Sequence, residues 1–484
     1  MKSLRLYITL LFVAATTVTF AQTAETLKKI QLVELSLTGT TTIEGEQLKT
    51  IQEQMAKYKL PGVSIAVIEN YQLAWAKGYG MADDSLKIPV TEKTLFQAAS
   101  LSKSLNGVGV LKLVQDKKVD LYADINRYLK SWKFPYDTVS KNKKISLANL
   151  LSHTAGLTVH GFAGYSSDSI RPTLLQVLNG QKPANSAAIR SAFEPGLRSE
   201  YSGGGTTIAQ QLVMDVTGKA YTDYMDKEIL KPMGMTMSTY AQPPLQIKAT
   251  LLASAYHADG KPVWGKYHVY PEQAAAGLWT NPTDLAAYII ETQLALEGKS
   301  AKVLNQATTR LRLTPYIDQS AAMGVFIVDM DGTKYFSHGG GNEGFRCQYF
   351  GSMEGGNGVV VMVNSDHGAI MSEIINAVAK VYGFKGLYQS RLVKQVTVDD
   401  ATLQSYTGGY DLEKDVVLTV SKQGGQLLVQ ATGDGQAEIF PEAQNMFFLK
   451  SGNARLEFVK DDKGAITKVL IHRNGKVTEA KKVK

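Results

Sequence analysis

The order in which helix-like and strand-like patterns follow one another limits the folds open to this chain. Helical periodicity dominates from residue 96 to about 300, and a second helical pattern over 370–381 ends at Gly383. Strand-like runs stand on both sides of the long helical block, which brings distant segments into one sheet. The pattern predicts an α+β fold in which an antiparallel sheet is flanked by helices and carries a helical lobe. The strand-like runs are 61–68, 73–80, 323–328, 345–350 and 358–363.

Beyond residue 400 the sequence changes to short strands that alternate with turns such as Gly424-Gly425. This pattern predicts a small all-β domain, for which binding, lid and packing roles all stay open. The predicted organisation is a signal peptide at 1–21, an N-terminal lead-in at 22–44, a main domain at 45–385, a linker at 386–400 and the all-β domain at 401–484.

The N-terminus indicates the compartment. Lys2 and Arg5 precede a mostly apolar run at 6–17, and Thr19-Phe20-Ala21 offers small residues at the −3 and −1 positions of a cleavage site. We therefore expect export to the periplasm or the medium after removal of the signal peptide, with a retained N-terminal anchor as the alternative. No later stretch predicts a stable membrane span in the mature chain.

Cysteine content and charge exclude several classes of protein. Cys347 is the single cysteine, so an intrachain disulfide is excluded, and its alternation with Phe345 and Tyr349 predicts a buried strand residue. The formal net charge of +8 is spread without long basic blocks or basic-aromatic stripes. We expect no nucleic-acid partner and at most a mild attraction to anionic polymers.

Two segments place a serine three residues before a lysine, Ser100-Leu101-Ser102-Lys103 and Ser140-Lys141-Asn142-Lys143. Residues three apart on a helix are neighbours, so the amine can approach the hydroxyl and, if desolvated, take its proton. Ser100 opens an apolar helical pattern, whereas Ser140 stands in a lysine-rich stretch that indicates a solvated loop. Ser100 is therefore the candidate nucleophile and Lys103 its candidate base.

Two glycine-rich segments supply the other groups that such a nucleophile needs. Tyr201 precedes Ser202-Gly203-Gly204-Gly205, just before a helical pattern. His338 is followed by Gly339, Gly340 and Gly341 beside a predicted strand, where glycines let a substrate carbonyl approach the main chain closely. A second proton-handling group and backbone donors for an oxyanion are thus available.

With these motifs in order, residues 45–385 resemble the serine β-lactamase and penicillin-binding protein superfamily, within it the branch of class C β-lactamases, DD-peptidases and esterases. The resemblance implies a serine β-lactamase/DD-peptidase-like fold and an acyl-enzyme on Ser100. The other similar segments are 61–67, Ser152-His153-Thr154-Ala155-Gly156-Leu157, Glu194-Pro195-Gly196, Pro232-Met233-Gly234-Met235 and 276–285.

The resemblance also implies roles for the neighbouring residues. Lys103 would activate Ser100, and Tyr201 would act as a general base that later helps to activate water. The backbone N–H groups of Ser100 and Gly341 would form the oxyanion hole. His338, Gly339 and Gly340 would line the substrate together with Gly203.

Two departures from the family pattern bear on the substrate. The family's Tyr-x-Asn element is Tyr201-Ser202-Gly203, which lacks the amide that holds an acylamino group. Its Lys-Thr-Gly element is His338-Gly339-Gly340, which replaces a permanent cation with a group expected to titrate near neutrality.

We therefore expect a serine hydrolase acting on an ester or amide, either a carboxylic ester or a peptidoglycan-derived or D-amino-acid peptide. The alternatives are a β-lactamase with weak or true β-lactam hydrolysis, and a penicillin-binding or sensor protein without turnover.

The remaining histidines do not indicate a metal site. His153 is expected to be a structural hydrogen-bonding residue at a turn, because the nucleophile already has a lysine and a tyrosine. The others show no His-Glu-x-x-His or close-paired spacing, so no metal and no cofactor are expected. They are His160, His257, His268, His367 and His472.

Overall fold

A computed structural model describes residues 23–413, 416–432, 435–450, 454–473 and 476–483. The expected signal peptide lies outside the described residues. In chain order the helices are α1 (Ala24–Glu34), α2 (Ile51–Lys57), α3 (Ser102–Gln115), α4 (Leu147–Leu151), α5 (Leu174–Asn179), α6 (Gly203–Thr217), α7 (Tyr221–Met225), α8 (Gln273–Ala276), α9 (Pro282–Leu296), α10 (Gln306–Arg312), α11 (Ala369–Tyr382) and α12 (Asp400–Tyr406).

The strands are β1 (Thr41–Ile43), β2 (Gly62–Glu69), β3 (Gln72–Asp83), β4 (Ile88–Pro89), β5 (Phe96–Gln97), β6 (Tyr165–Ser166), β7 (His268–Val269), β8 (Trp279–Thr280), β9 (Phe326–Met330), β10 (Thr333–Asn342), β11 (Phe345–Ser352), β12 (Gly358–Val363), β13 (Arg391–Val393), β14 (Gly408–Glu413), β15 (Val416–Gln423), β16 (Gln426–Ala431), β17 (Ala437–Pro441), β18 (Met446–Phe448), β19 (Ala454–Lys460), β20 (Ile466–Arg473) and β21 (Lys476–Lys482).

Seven strands form one antiparallel sheet in the order β4-β3-β2-β12-β11-β10-β9. The central strands β2 and β12 are apolar along both faces because helices cover both. Val63, Ile65 and Val67 face a core that includes α1 and α11, whereas Ala66 and Ile68 face the core that includes α9. The predicted α+β class, with an antiparallel sheet flanked by helices, is confirmed.

The helix α3 runs through the middle of the helical lobe and is buried on nearly every side. Its glycines permit this packing. A Cβ at Gly107 would stand 2.6 Å from the carbonyl oxygen of Met323, too close for any side chain. The helix that begins beside the candidate nucleophile is therefore held firmly by its surroundings.

Both the lead-in and the linker contain structure that the sequence pattern did not reveal. The helix α1 buries Ile30 and Val33 in the same core as α11. The strand β1 pairs with β13 in parallel, with Thr41 opposite Arg391. These two segments lie far apart in the sequence and together fasten the chain beside the sheet.

The strands β14 to β21 form a closed barrel, which confirms the predicted all-β character of the C-terminal part. Aliphatic and aromatic side chains fill its core, with Tyr406 at the end of α12 stacked on Phe458 at 4.2 Å between ring centroids. Lys57 in α2 pairs with Glu438 of the barrel at 2.7 Å. Among the described helices, none is both long enough and apolar enough to cross a bilayer.

Candidate active site

Ser100 lies in a tight 3₁₀ turn, Ala99–Leu101, that leads from β5 into α3. Ala99 takes φ +48°, in the left-handed region that residues with a Cβ rarely adopt. Hydrogen bonds hold the turn, because Ser102 Oγ donates to the Ala99 carbonyl at 2.5 Å and accepts from Leu278 N at 3.0 Å. Ser100 itself is half-buried. The strained turn thus presents the Ser100 hydroxyl in a fixed position.

Lys103 lies one helical turn further on, and its side chain reaches back to Ser100. Its Nζ donates to Ser100 Oγ at 3.0 Å and to the carbonyl oxygen of Ala275 in α8 at 2.8 Å. The residue is only 4% exposed. The hydroxyl and the amine are therefore in direct contact, with the amine withdrawn from solvent.

Tyr201 stands at the same amine, immediately before α6. Lys103 Nζ lies 4.9 Å from the centroid of its ring. Ser202 caps α6 by accepting from Gly205 N at 3.0 Å, which fixes the chain direction at Tyr201. The structure thus brings Ser100, Lys103 and Tyr201 together from two helix N-termini.

The strand β10 supplies the opposite wall. β9 pairs with β10 only from Thr333 to Ser337, so within the described residues the edge from His338 to Asn342 lies open beside the turn that holds Ser100. Cys347 Sγ donates to the Ala98 carbonyl at 3.0 Å, and this thiol is buried in β11 as predicted. Burial raises its pKa well above the usual range. The strand is therefore fastened to the nucleophile turn.

The glycines of β10 line this open edge. A Cβ at Gly340 would stand 2.5 Å from the Ala98 carbonyl oxygen, so the close approach of the two segments requires glycine there. Gly339 is half-buried, and Gly341 is exposed and pairs in register with Arg346. This edge is therefore at least partly exposed from Gly339 to Gly341.

His338 is buried at the inner end of this edge, with 3% of its surface exposed. Its Nδ1 lies 2.6 Å from the carbonyl oxygen of Gly339, which can only accept, so Nδ1 carries the proton. Its Nε2 has no hydrogen-bond partner within the part of the chain that the structure describes. Burial, with the nearby charge of Lys103, lowers the pKa of His338 to about 3. The expectation that it titrates near neutrality is wrong, because the ring is shielded from water.

Gly203 is the first residue of α6, and its missing side chain has a packing reason. A Cβ there would lie 3.0 Å from Phe162 Cε2 and 3.1 Å from the carbonyl oxygen of His160. The loop around these two residues covers the position, and it would have to shift to admit an amide side chain.

Sequence reasoning missed Phe326 at the site, and it missed Glu272, a buried carboxyl just before the helix α8 whose Ala275 carbonyl accepts from Lys103. The ring of Phe326 lies 5.4 Å from that of His338 and 6.4 Å from that of Tyr201, which shields the histidine. Glu272 precedes α8 and is fully buried, and neither carboxyl oxygen has a partner among the described residues. Burial raises its pKa to about 7. Phe326 belongs to an ordinary strand pattern and Glu272 to no motif, so neither gave a signal.

Three further groups, His257, Glu343 and Asp366, meet just beyond the end of β10. Their potential metal-binding atoms lie within 4.8 Å of one another, although they come from three distant segments. The guanidinium of Arg346 already pairs with Asp366 at 2.8 Å, and Gly344 N donates to the same carboxylate. The cluster is therefore satisfied as an ion-pair network.

Comparisons with known proteins agree with this fold. The sequence model of the Beta-lactamase family matches residues 49–381, and that of a domain of unknown function, DUF3471, matches residues 393–482. The chain therefore belongs to the Beta-lactamase family, a family of serine hydrolases within the superfamily of serine β-lactamases and penicillin-binding proteins.

Individual relatives are distant. Protein flp of Staphylococcus aureus (strain N315) is 28% identical over 253 residues, which is 51% of this chain and 46% of that protein, so the match spans about half of its length. Penicillin-binding protein 4* of Bacillus subtilis (strain 168) is 22% identical over 91% of this chain and 99% of its own.

Solved structures share the fold. The octameric penicillin-binding protein homologue from Pyrococcus abyssi is similar with a TM-score of 0.61 and 22% identity, covering 89% of this chain and 98% of that one. FmtA from Staphylococcus aureus is similar with a TM-score of 0.55 and 20% identity, over 72% of this chain and 91% of its own.

Proposed function

We propose that the protein is an exported serine hydrolase that cleaves an ester or amide through an acyl-enzyme on Ser100. The observation that carries the proposal is the 3.0 Å contact between Ser100 Oγ and the buried Nζ of Lys103. A serine hydroxyl is a poor nucleophile until a neighbouring group takes its proton. The leader-like pattern at 1–21 supports export.

The groups around Ser100 suit each step of acyl transfer. Ser100 Oγ attacks the substrate carbonyl carbon while its proton moves to Lys103 or Tyr201. The bond to the leaving group then breaks, and the leaving group departs with that proton. Water, activated by Tyr201 and Lys103, attacks the acyl carbon and releases the acid with Ser100 restored. The main-chain N–H groups of Ser100 and Gly341 stabilise the oxyanion.

The absence of a positive charge at His338 favours substrates with a particular class of leaving group. A neutral, buried imidazole gives a substrate carboxylate no cationic partner. The neighbouring cation, Arg346, already pairs with Asp366. We therefore propose small esters, or peptide amides whose leaving group carries no carboxylate, as substrates. β-Lactams, which carry such a carboxylate, should be poor ones.

A substrate panel tests this function. We expect p-nitrophenyl acetate and D-alanine p-nitroanilide to be hydrolysed, and nitrocefin at least about 100-fold less efficiently. Ser100→Ala should abolish all three activities. Turnover of nitrocefin above that of the ester would contradict the leaving-group class. An adduct on Ser100 that persists without release would favour the sensor alternative instead.

The pH dependence of KM tests the neutral state of His338. For an anionic ester we expect wild type and His338→Gln to show parallel KM profiles between about pH 5.5 and 8.5, because the pKa of about 3 lies below this range. A KM that rises through about pH 6.5 in wild type but stays flat in His338→Gln would show that the histidine titrates near neutrality and is not held neutral by burial.

A further inference from the structure

His153 occupies an unusual position in the turn after α4. It takes φ +59° and is only 4% exposed. The turn is held on both sides of it, because Ser152 and Thr154 share a hydrogen bond at 2.9 Å and Thr154 N donates to the Asn149 carbonyl at 2.9 Å. A strained histidine fixed in this way has a rigidly defined ring position.

Three contacts join this histidine to the segment that carries Tyr201. The carbonyl oxygen of His153 accepts from Glu200 N at 2.8 Å, and its Nδ1 accepts from Ser202 N at 3.2 Å. Between these two bonds its ring packs against that of Tyr201, at 4.4 Å between centroids and 41° between planes. His153 thus holds the residues before and after Tyr201 as well as the tyrosine ring.

The hydrogen bond from Ser202 also fixes the tautomer. A backbone N–H can only donate, so His153 Nδ1 presents its lone pair and the proton of the neutral ring stands on Nε2. Protonation of Nδ1 would replace this attraction with two opposed N–H groups. Burial, with the nearby charge of Lys103, lowers the pKa of His153 and keeps the ring neutral. A ring in this state has no basic nitrogen available to Ser100.

We propose that His153 is the positioning residue for Tyr201, acting through its Nδ1 and its ring rather than on the substrate. The inference rests on the proposed function, which gives Tyr201 its role as a base. A base must stand within hydrogen-bond reach of the proton it takes, so freedom of the Tyr201 segment lowers the rate more than the affinity.

Two substitutions of His153 separate positioning from packing. His153→Leu removes the acceptor for Ser202 N, whereas His153→Asn places an amide oxygen near the position of Nδ1 and tolerates positive φ. With p-nitrophenyl acetate we expect His153→Leu to lower kcat at least about twentyfold with KM changed less than about threefold. His153→Asn should recover at least about fivefold of that loss. Equal losses in the two variants would overturn the inference.

A double-mutant cycle with Tyr201→Phe then asks whether His153 acts through the tyrosine. We expect the effect of His153→Leu to shrink below about threefold in the Tyr201→Phe background. An undiminished effect there would overturn the positioning role while leaving the proposed function intact. Wild-type activity in Tyr201→Phe alone would instead remove the base role of Tyr201, on which the inference depends.

The wild-type protein offers a measurement that needs no variant and applies even if His153→Leu fails to fold. The ¹⁵N NMR spectrum of histidine-labelled protein should show His153 with an unprotonated Nδ1 and a protonated Nε2 at neutral pH. A protonated Nδ1 would contradict the bond from Ser202 and overturn the proposal.

Discussion

The chain contains the same Ser-x-x-Lys spacing twice, and the two segments fold in opposite ways. Between Ser100 and Lys103 the backbone follows a 3₁₀ turn into α3, so the two side chains meet. In the second segment the two intervening residues, Lys141 and Asn142, take φ +48° and +63°. This reverses the chain and separates the side chains of Ser140 and Lys143. The spacing becomes a chemical site only where a helix carries it.

Burial separates the two segments further. Lys103 is 4% exposed, whereas the Lys143 side chain is 60% exposed and pairs with Glu194. The loop is solvated at its lysines, as expected, but Ser140 itself is buried, and its Oγ donates to the Asp137 carbonyl at 2.8 Å. One segment holds its lysine against a hydroxyl, and the other uses its serine to close a turn.

The largest predicted effect concerns the two serines. Ser100→Ala should lower esterase kcat/KM by at least about 10⁴-fold, because no nucleophile remains. Ser140→Ala should leave kcat/KM within about twofold of wild type, since the residue only closes a turn. Steady-state assays with p-nitrophenyl acetate measure both. Comparable losses in the two variants would break the distinction.

Substitution of Lys103 should lower activity far more than substitution of Lys143, although by a smaller factor than for the two serines. Lys103→Met removes the amine beside Ser100, one of its two candidate proton acceptors, and should lower kcat by roughly 10²–10⁴-fold, with the fold checked by circular dichroism. Lys143→Met, at an exposed ion pair, should change neither kcat nor the melting temperature measurably. Full activity in Lys103→Met would assign the activation of Ser100 to another group.

Two carboxyl groups extend the comparison to stability. Burial raises the pKa of Glu272 to about 7, above its ordinary value of 4.5, so its folded state is penalised as the carboxyl ionises. With Glu272 protonated, below about pH 4.5, the free energy of unfolding carries no penalty from this group. The penalty sets in as the pH rises through about 7 and the buried carboxyl has to ionise. The free energy of unfolding of Glu272→Gln should therefore exceed that of wild type by on the order of 3 kcal/mol at about pH 8.5, and the two should be equal at about pH 4.

Glu194, beside the second lysine, provides the control of opposite sign. Hydrogen bonds from Lys143 and Lys141 hold the pKa of Glu194 below the ordinary value. The ionised Glu194 therefore stabilises the fold above about pH 4.5, and this stabilisation is lost as acid protonates the carboxylate. Urea unfolding at several pH values measures the free energy of unfolding of each variant. For Glu194→Gln it should approach the wild-type value at low pH, and for Glu272→Gln it should rise above the wild-type value at high pH. Parallel profiles for the two variants would contradict the contrast.

Local patterns predicted the parts of the fold that depend on neighbours in sequence. The β2–β3 hairpin, β11, β12 and α11 follow from alternation, helical period and the glycine after α11. The pairing of β1 with β13 and the closure of the barrel by β14 and β21 depend on partners far away, which no local window contains.

The same distinction between local and distant contacts decides which features of the site the sequence could predict. The contact between Lys103 and Ser100 is a property of one helical turn and was visible in the sequence. The neutral state of His338 depends on Phe326 and the fold around it, and the hold of His153 on Tyr201 depends on bonds between two separate segments. Residue type suggested a titrating group at 338, and burial reverses that expectation.

Covalent labelling of the two serines tests the central claim most directly. Wild-type protein is treated with a fluorophosphonate or an activated ester, digested and mapped by mass spectrometry. We predict a label on Ser100, none on Ser140, and none at either position in Ser100→Ala. A label on Ser140, or an unlabelled Ser100 in folded wild-type protein, would contradict the assignment of Ser100 as the nucleophile.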